Sequence, residues 1–468
     1  MLKEKPVNKT NPAAHVTPAE YGRVYIETFG CQMNVSDSQV AVSVLKKKGL
    51  EVTDNIGEAD VILVNTCSIR ENAEKRVWGR LQVFAGEKKR RPGVIVGVIG
   101  CMAERLKSQL LDNSATVDIV AGPDAYRKLP ELIEEASSGQ QAINVLLSRE
   151  ETYADIEPVR SGKNNVTAFV SIMRGCNNFC SYCVVPFTRG RERSRAPSTI
   201  LGEVRTLIEN GYKEVTLLGQ NVNSYRWTDS QGDEVMDFPE LIEKVALLSP
   251  DLRVRFSTSH PKDISDKLLY TIAAHKNICK HIHLPVQSGS SRILKLMNRA
   301  YTRESYMERI NAVKTIIPGC TVTTDIIAGF CSETEKDHQQ TISLIKEAGF
   351  DFAFMFKYSE RPGTPAGDKL TDDVAEEVKT RRLNEIIELQ NSLSAESKKN
   401  DLGKVYKVLA ESFSKKSENE LFGRTSHNKS AVFPKQNYQP GDYVNVKITG
   451  HTSATLIGCP EKTLSPVL

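Results

Sequence analysis

No run of apolar residues in this chain is long enough to cross a bilayer. The longest, Val94 to Gly100, falls far short of the roughly 20 residues a helical span needs. The N-terminal segment lacks the apolar core of a secretory signal and carries Lys3, Lys5 and Lys9 instead, so a cytoplasmic location is expected, without membrane partners. Neither sign of charge dominates. The 62 Lys and Arg against 58 Asp and Glu leave a net charge of +4, too little to argue for any partner, so a charged binding surface has to be local. No internal repeat or low-complexity block is present. Apolar content of 40% and charged content of 26% describe a globular protein, and 468 residues exceed one ordinary core, so two to four domains are expected. Ten cysteines without a secretory signal read as metal or redox residues rather than as a disulfide framework.

The most telling absence is a fourth cysteine. Cys176, Cys180 and Cys183 follow one another with C-x3-C-x2-C spacing, and the next cysteine is Cys279. Three thiolates in one short loop suit three irons of a [4Fe-4S] cluster, whereas ferredoxin runs supply a fourth. One iron is then left without a protein ligand, and an open metal position means chemistry on a bound molecule. The competing reading is a structural zinc site, which normally closes with four ligands, or three unrelated thiols.

Alternating strand and helix patterns organise the chain. Residues 1–20 are polar and without periodicity, and read as a flexible tail. An N-terminal parallel α/β domain is expected over 21–140. Its strands are Arg23–Thr28, Val61–Asn65 and Val94–Gly100, and Ser36 is the expected cap of a helix with an apolar stripe at Val40, Ala41, Val44 and Leu45. After a polar connection, strands are expected at Thr167–Met173, Glu214–Leu218, Arg253–Ser257, His281–Leu284, Thr321–Ile327 and Phe352–Phe356, with helices between them. Ser332-Glu333-Thr334-Glu335 reads as a capping box, and Thr371–Lys399 as a long charged helix. Six β/α units over 160–395 make a partial (β/α)6 barrel. Short strands split by Gly, Pro and Asn over 396–465 make a small all-β barrel.

Cys31, Cys67 and Cys101 each fall just past an expected strand of the first domain. Ligands of open parallel sheets bind outside the carboxyl ends of the strands, so these residues are either a second three-thiol cluster site or three buried small hydrophobes. Cys279, Cys320, Cys331 and Cys459 have no partner at ligand spacing and read as ordinary thiols. His281 and His283 share one strand face, where they either line the barrel interior or are hydrogen-bonded core histidines.

Several runs together resemble the radical S-adenosylmethionine (SAM) methylthiotransferases. They are Glu27 to Asn34, Asn65 to Glu71, Gly100 to Arg105, Arg174 to Arg195, Leu217 to Tyr225 and His283 to Gly289. The resemblance spans residues 22 to about 460. It implies an N-terminal methylthiotransferase domain, a radical SAM core and a C-terminal TRAM barrel. It further implies a SAM cluster on Cys176, Cys180 and Cys183 and an auxiliary cluster on Cys31, Cys67 and Cys101, hence two [4Fe-4S] clusters and SAM as cofactors. Thr66 to Arg70 and Cys183 to Arg191 are similar to the branch acting on prenylated adenosine. The expected activity is sulfur insertion and methylation at C2 of N6-isopentenyladenosine beside a tRNA anticodon, giving 2-methylthio-N6-isopentenyladenosine. The alternatives are threonylcarbamoyladenosine in tRNA, an aspartate of a ribosomal protein, or a non-enzymatic iron–sulfur protein that binds RNA. One departure is Cys331-Ser332, where relatives in this family usually carry Pro-Gly.

The same resemblance suggests partners and contacts. Gly219, Gln220 and Asn221 are candidates to hold SAM, with Ser257, Gln287 and Asp325 on the same rim; for Asp325 a helix-cap role is the alternative. Arg189, Arg191, Arg193 and Arg195 occupy alternate positions after the cysteine loop, and Lys88 to Arg91 form a second basic block. These and Arg424 and Lys429 of the small barrel are candidate tRNA contacts, since cations neutralise phosphate. An electron donor of flavodoxin or ferredoxin type and iron–sulfur assembly proteins are further expected partners.

Overall fold

The computed structural model describes residues 22–68, 71–160, 165–229 and 235–461. The expected N-terminal tail lies outside them. The chain divides into two compact units, Met1–Leu147 and Ser148–Leu468.

The first unit is built on a six-stranded sheet of β1 (Arg23–Thr28), β2 (Glu51–Val52), β3 (Val61–Thr66), β4 (Ile95–Gly100), β5 (Ile119–Ala121) and β6 (Ala142–Asn144), in the order β2-β1-β3-β4-β5-β6. Every pairing is parallel. β3 and β4 are buried along their whole length, which is why they read as unbroken β-branched runs. Ile62, Val64, Val96 and Val98 pack with Phe84 and Met102 in the core. Helix α1 (Gln32–Lys47) starts four residues before the expected cap: Cys31 is the N-cap residue, and Ser36 is buried inside the helix. The extended backbone of Cys31, directly after the left-handed turn at Gly30, ends the strand and opens the helix in two residues.

The second unit carries β7 (Thr167–Ser171), β8 (Glu214–Leu218), β9 (Arg253–Ser257), β10 (His281–His283), β11 (Thr321–Ala328) and β12 (Phe352–Lys357). They pair in parallel as β9-β8-β7 and β10-β11-β12. A parallel bridge from Val254 of β9 to Ile278, just before β10, joins the two sets into one open barrel. The pleat sorts the side chains. Val215, Leu217, Val254, Ile282, Val322 and Ile326 point to the helices and form the core. Their alternating neighbours, including Arg255, His283, Thr323 and Asp325, point to the barrel's inner face. The helix before β12, α2 (Glu335–Ala348), is capped by Thr334 with Asp337, not by Ser332 with Glu335. Ser332 instead takes a left-handed turn at φ 63°, the backbone the family's usual glycine adopts freely, and its N–H donates to Asp373 at 2.6 Å.

A long helix, α3 (Glu376–Lys399), packs along β12 and leads into a closed five-stranded barrel. Its strands are β13 (Val405–Ser414), β14 (Ser417–Arg424), β15 (Ser430–Pro434), β16 (Tyr443–His451) and β17 (Leu456–Pro460). This small barrel docks on the ends at which β8, β9 and β11 begin. Arg253 donates to the carbonyls of Arg424 and Lys407 at 2.6 and 3.1 Å, and Arg255 to that of Thr425 at 2.7 Å. Thr321 donates to the His427 carbonyl at 2.7 Å, and Tyr443 Oη reaches the Lys213 and Asp251 carbonyls at 3.0 and 3.1 Å. Glu214 is fully buried and holds the seam's charge centre, accepting from Arg255 Nε at 2.8 Å with Arg424 Nη2 at 3.7 Å.

Candidate functional site

The first three-thiol site is built from neighbouring strand ends. β1, β3 and β4 lie side by side in the sheet; Cys67 and Cys101 directly follow β3 and β4, and Cys31 follows β1 after Phe29 and Gly30. Cys101 is the first residue of the helix Cys101–Leu106. The backbones come close: a Cβ on Gly30 would lie 2.4 Å from Cys67 Cβ, and Gly30 has φ 123°, so only glycine fits there. Asn65 ties the strand ends together by donating to the Asn34 carbonyl and to Ser38 Oγ, both at 2.9 Å. Arg105 closes the margin by donating to Ser68 Oγ at 3.2 Å and pairing with Glu74 at 2.8 Å.

The second site is one loop pinned from several directions. Cys176 N–H donates to the Gly190 carbonyl at 3.1 Å, and Cys183 N–H to the Cys180 carbonyl at 2.9 Å. Ser181 donates from its N–H and Oγ to the carbonyls of Met297 and Leu296 at 3.0 and 2.8 Å, and Asn298 reaches the Phe179 carbonyl at 2.9 Å. Arg299 is buried and donates from Nη1 to Cys180 Sγ at 3.2 Å, from Nη2 to the Pro285 carbonyl, and from Nε to Tyr301 Oη. Burial opposes its charge, but Tyr301, Tyr182 and Cys180 outweigh that and hold the guanidinium protonated. Burial pushes the Cys176 thiol up to about 11 and raises Cys183 as well. Free thiols here stay protonated at neutral pH, so their ionisation is coupled to metal binding.

Both sites fit a multi-iron cluster better than one ion. Thiolates around a zinc at about 2.3 Å lie about 3.8 Å apart. Among the described residues the one set of three potential ligand atoms that all fall within 4.8 Å of one another is Glu335, His338 and Glu385. That set is already neutralised: Arg381 bonds both glutamates, and Glu385 bonds His338 Nε2 at 2.6 Å.

Beside the cysteine loop, the rim after β8 and β9 holds an unusual group of unsatisfied polar atoms. Gln220 Oε1, Asn221 Oδ1, both amide atoms of Asn223, Thr258 Oγ1 and Ser259 Oγ are buried without a hydrogen bond. Buried polar groups are nearly always paired, so such a group on one rim has donors and acceptors to spare for water or a polar ligand. Asn221 Nδ2 is fixed by Asp263 at 2.7 Å, which aims the amide. A Cβ on Gly219 would strike Met173 at 2.5 Å. Nearby His260 is pushed down to about 2 by burial, then by Arg299, and stays neutral.

Three family models match the chain: an uncharacterized protein family, UPF0004, over residues 23–122, the radical SAM superfamily over 170–345, and the TRAM domain over 399–459. The tRNA-2-methylthio-N(6)-dimethylallyladenosine synthase of Phocaeicola vulgatus is 58% identical over 443 residues, 94% of this chain and 96% of that protein. The synthase of the same name from Bacteroides thetaiotaomicron is 58% identical over 436 residues, 93% and 95% of the two chains. The chain belongs to the tRNA-2-methylthio-N(6)-dimethylallyladenosine synthase family. In fold it is similar to the radical SAM methyltransferase TsrM of Kitasatospora setae, solved with tryptophan and a SAM analogue, at a TM-score of 0.56 and 14% identity, covering 74% of this chain and 75% of that one.

Within this family frame the expected contact residues separate. Gly219, Gln220, Asn221 and Ser257 lie together on the rim. Gln287 is buried beside them in sequence order on the next strand ends, in a left-handed turn at φ 70° that hydrogen-bonds the Asp325 and Ile327 backbone. Asp325 neither ends a strand nor caps a helix. It sits inside β11 on the inner face, with Oδ1 3.4 Å from His283 Nε2. His281 and His283 face the same interior and both bond Thr323 Oγ1 at 3.0 Å.

The basic candidates are placed differently from the solvent stripe their alternation suggests. Arg189, Arg193 and Arg195 are buried, and Arg191 is exposed. Arg195 binds Glu203, Thr199 and the Ser171 carbonyl, and Arg193 donates to the Arg189 carbonyl at 3.0 Å. Arg424 is engaged by Glu411 at 2.7 Å, and Lys429 by Asp401 at 2.6 Å, both in the seam under the small barrel. Of the block Lys88 to Arg91, Lys88 pairs with Asp118, Arg90 with Glu87, and Arg91 with the carbonyls of Ala59 and Ile56. Reading the sequence missed Arg299, 119 residues from the thiol it bonds, and Asn223, Thr258 and Ser259. Asn223 lies inside the run Leu217 to Tyr225; no spacing signal points to Arg299.

Proposed function

We propose that this chain is a radical SAM methylthiotransferase that modifies C2 of N6-isopentenyladenosine next to the anticodon of tRNA, giving 2-methylthio-N6-isopentenyladenosine. The observation that carries the reading is the pair of three-thiol sites, each pinned by backbone and each one ligand short of a closed cluster, in a chain 58% identical to synthases of that name. Cys176, Cys180 and Cys183 would hold the SAM cluster, and Cys31, Cys67 and Cys101 the auxiliary one. With SAM bound and an electron supplied by a reductant, these groups would provide the radical and methylthio chemistry that C2 needs, since no acid or base of the protein can start a reaction on a strong, non-acidic C–H bond.

The protein's own residues orient and enclose. Gln220, Asn221, Asn223, Thr258 and Ser259 offer unspent donors and acceptors to the amino acid and ribose ends of SAM. Arg299 keeps a fixed positive charge on Cys180. The inner face of the barrel, floored by the docked small barrel, gives the nucleoside a shielded well. For tRNA, the exposed tip of the small barrel is the better platform than the seam residues. Phe413 is exposed with Lys435 Nζ 5.0 Å over its ring, and Lys415 and Lys416 are exposed beside it. Aromatic faces with flanking cations suit unpaired RNA bases and phosphates. Arg191 extends the basic surface at the cysteine loop. No helix among the described residues is long and apolar enough to cross a membrane. A cytoplasmic site, an electron donor of flavodoxin or ferredoxin type, and assembly proteins that load the clusters complete the reading.

The test is anaerobic reconstitution with iron and sulfide, then incubation with SAM, a reductant and tRNA carrying N6-isopentenyladenosine. Nucleoside mass spectrometry should show the methylthio product. Product on threonylcarbamoyladenosine or on a ribosomal-protein aspartate, and none on the prenylated nucleoside, would overturn the assignment.

A further inference from the structure

One stretch of the barrel's inner face does not match the rest. β12 alternates Phe352, Phe354 and Phe356 with Ala353 and Met355. Ala353 is fully buried in the core between barrel and helices, and Met355 packs against it. The three phenylalanines therefore share the opposite face. Register puts them there beside Thr323, Asp325 and Ile327 of β11, their direct partners across the parallel pair. The ring of Phe354 stands edge-on to His283 at 5.9 Å and to Phe352 at 5.0 Å. Yet the three side chains remain 44%, 45% and 40% exposed. A contiguous row of open aromatic rings is costly to leave in water, and marks a surface that something apolar covers. Neighbouring inner-face groups, His281, His283, Thr323 and Asp325, are polar and already bonded to one another. The row is thus the apolar wall of an otherwise polar well, on the strand that directly adjoins Asp325.

We propose that Phe352, Phe354 and Phe356 form the wall that receives the branched five-carbon substituent on N6 of the substrate adenosine. This rests on the functional reading above and deepens it, because it assigns the discrimination among related substrates to one strand face. A dimethylallyl group has no polar atom, so every carbon laid on the rings gains from leaving water. A threonylcarbamoyl group and an aspartate both carry a carboxylate. Against this wall the carboxylate loses its hydration and meets the negative faces of the rings; among the described residues no Lys or Arg stacks on them to compensate, and His283, the ring partner of Phe354, already faces Asp325. The wall accepts the apolar substituent and rejects the charged ones by the same contact.

The experiment uses reconstituted holoenzyme and two tRNAs that differ only in whether the target adenosine is prenylated. For wild type and for Phe352→Ala, Phe354→Ala, Phe356→Ala and Phe354→Leu, kcat/KM of methylthiolation is measured on both, together with KM for SAM and the cluster absorbance. At least one Ala variant should lower the prenylated-to-unmodified ratio tenfold or more, mainly through KM for the prenylated tRNA. Phe354→Leu, which keeps an apolar surface, should recover most of the ratio. An unchanged ratio in all three Ala variants overturns the proposal. So does a rise in KM for SAM that accounts for the whole loss, because the wall would then belong to SAM. If wild type itself shows no preference for the prenylated tRNA, the functional reading fails rather than the wall.

Discussion

Removing the Glu214 carboxylate should loosen the second unit more than the loss of any surface ion pair. The side chain is 0% exposed and stands among three guanidinium groups: Arg255 at 2.8 Å, Arg253 at 3.8 Å and Arg424 at 3.7 Å. Beyond Glu214, Arg253 and Arg255 donate to carbonyls of the small barrel, and Arg253 also lies over the Tyr443 ring. With Glu214→Ala those cations face one another with Glu411 as the remaining anion. Stripping one partner from a buried, hydrogen-bonded ion cluster costs about 3–5 kcal/mol. Taking about 4 kcal/mol and an m-value of about 3 kcal/mol/M, the urea midpoint of the second unit should fall by about 1.3 M. Trp227 reports on this unit by fluorescence once Trp78, in the other unit, is replaced by Phe. Replacing the pair together, Glu214→Leu with Arg255→Met, should cost less than Glu214→Ala alone, since Arg255, the guanidinium bonded directly to Glu214, is then no longer buried without it. A midpoint for Glu214→Ala within about 0.2 M of wild type would refute this account of the seam, and so would a double variant less stable than the single one.

Three more outcomes follow from particular residues. Burial, with Asp124 adding and Lys107 opposing, raises Glu104 from 4.5 to about 7; the folded chain keeps a proton that the unfolded chain releases, so stability is full below pH 4.5 and is lost as pH rises to about 7, by about 3 kcal/mol. Glu104→Gln should therefore be the more stable protein at pH 8 and equal to wild type at pH 4.5 in urea melts, and a pH-independent difference would count against it. Arg299→Gln should leave iron content intact but make the SAM cluster at least tenfold harder to reduce at a fixed poise, about 59 mV for one electron; an unmoved midpoint in an EPR-monitored titration would remove Arg299 from any tuning role. Replacing Lys415 and Lys416 by Ala should weaken tRNA binding and lower its log–log salt slope by about 1 to 2, and an unchanged slope would move the RNA platform elsewhere.

How much of this was legible depends on how local the cause is. β1, β8 and β9 begin and end at the residues expected from sequence, because burial on one or both faces dictates residue type directly. β5 and β6 are three residues each, too short to carry a period, and β17 contains Gly458 and ends at Pro460, which read as turn residues. The strand-end cysteines were visible because sheet topology puts ligands at carboxyl ends. The surroundings of the arginines were hidden for the opposite reason. Arg195 finds Glu203 one helical stretch later, and Arg424 finds Glu214 from another domain, so their neutralisation is invisible in a window of sequence. Ser332 shows a third case: a capping pattern matched, but the backbone needed its left-handed turn first and handed the cap to Thr334.

The small barrel's docking has a consequence for traffic. It stops the end at which the strands of the larger barrel begin, so the interior is closed at that end and open at the rim and beside the unpaired edges of β7 and β12. On the proposed reading, SAM and the nucleoside base both enter this interior from the side away from the seam. The five residues of β9 also set a depth of roughly 17 Å between seam and rim. An RNA held at both the small barrel and the rim is therefore measured against a fixed length, and a substrate is chosen by where its base falls along that length as well as by what the base carries.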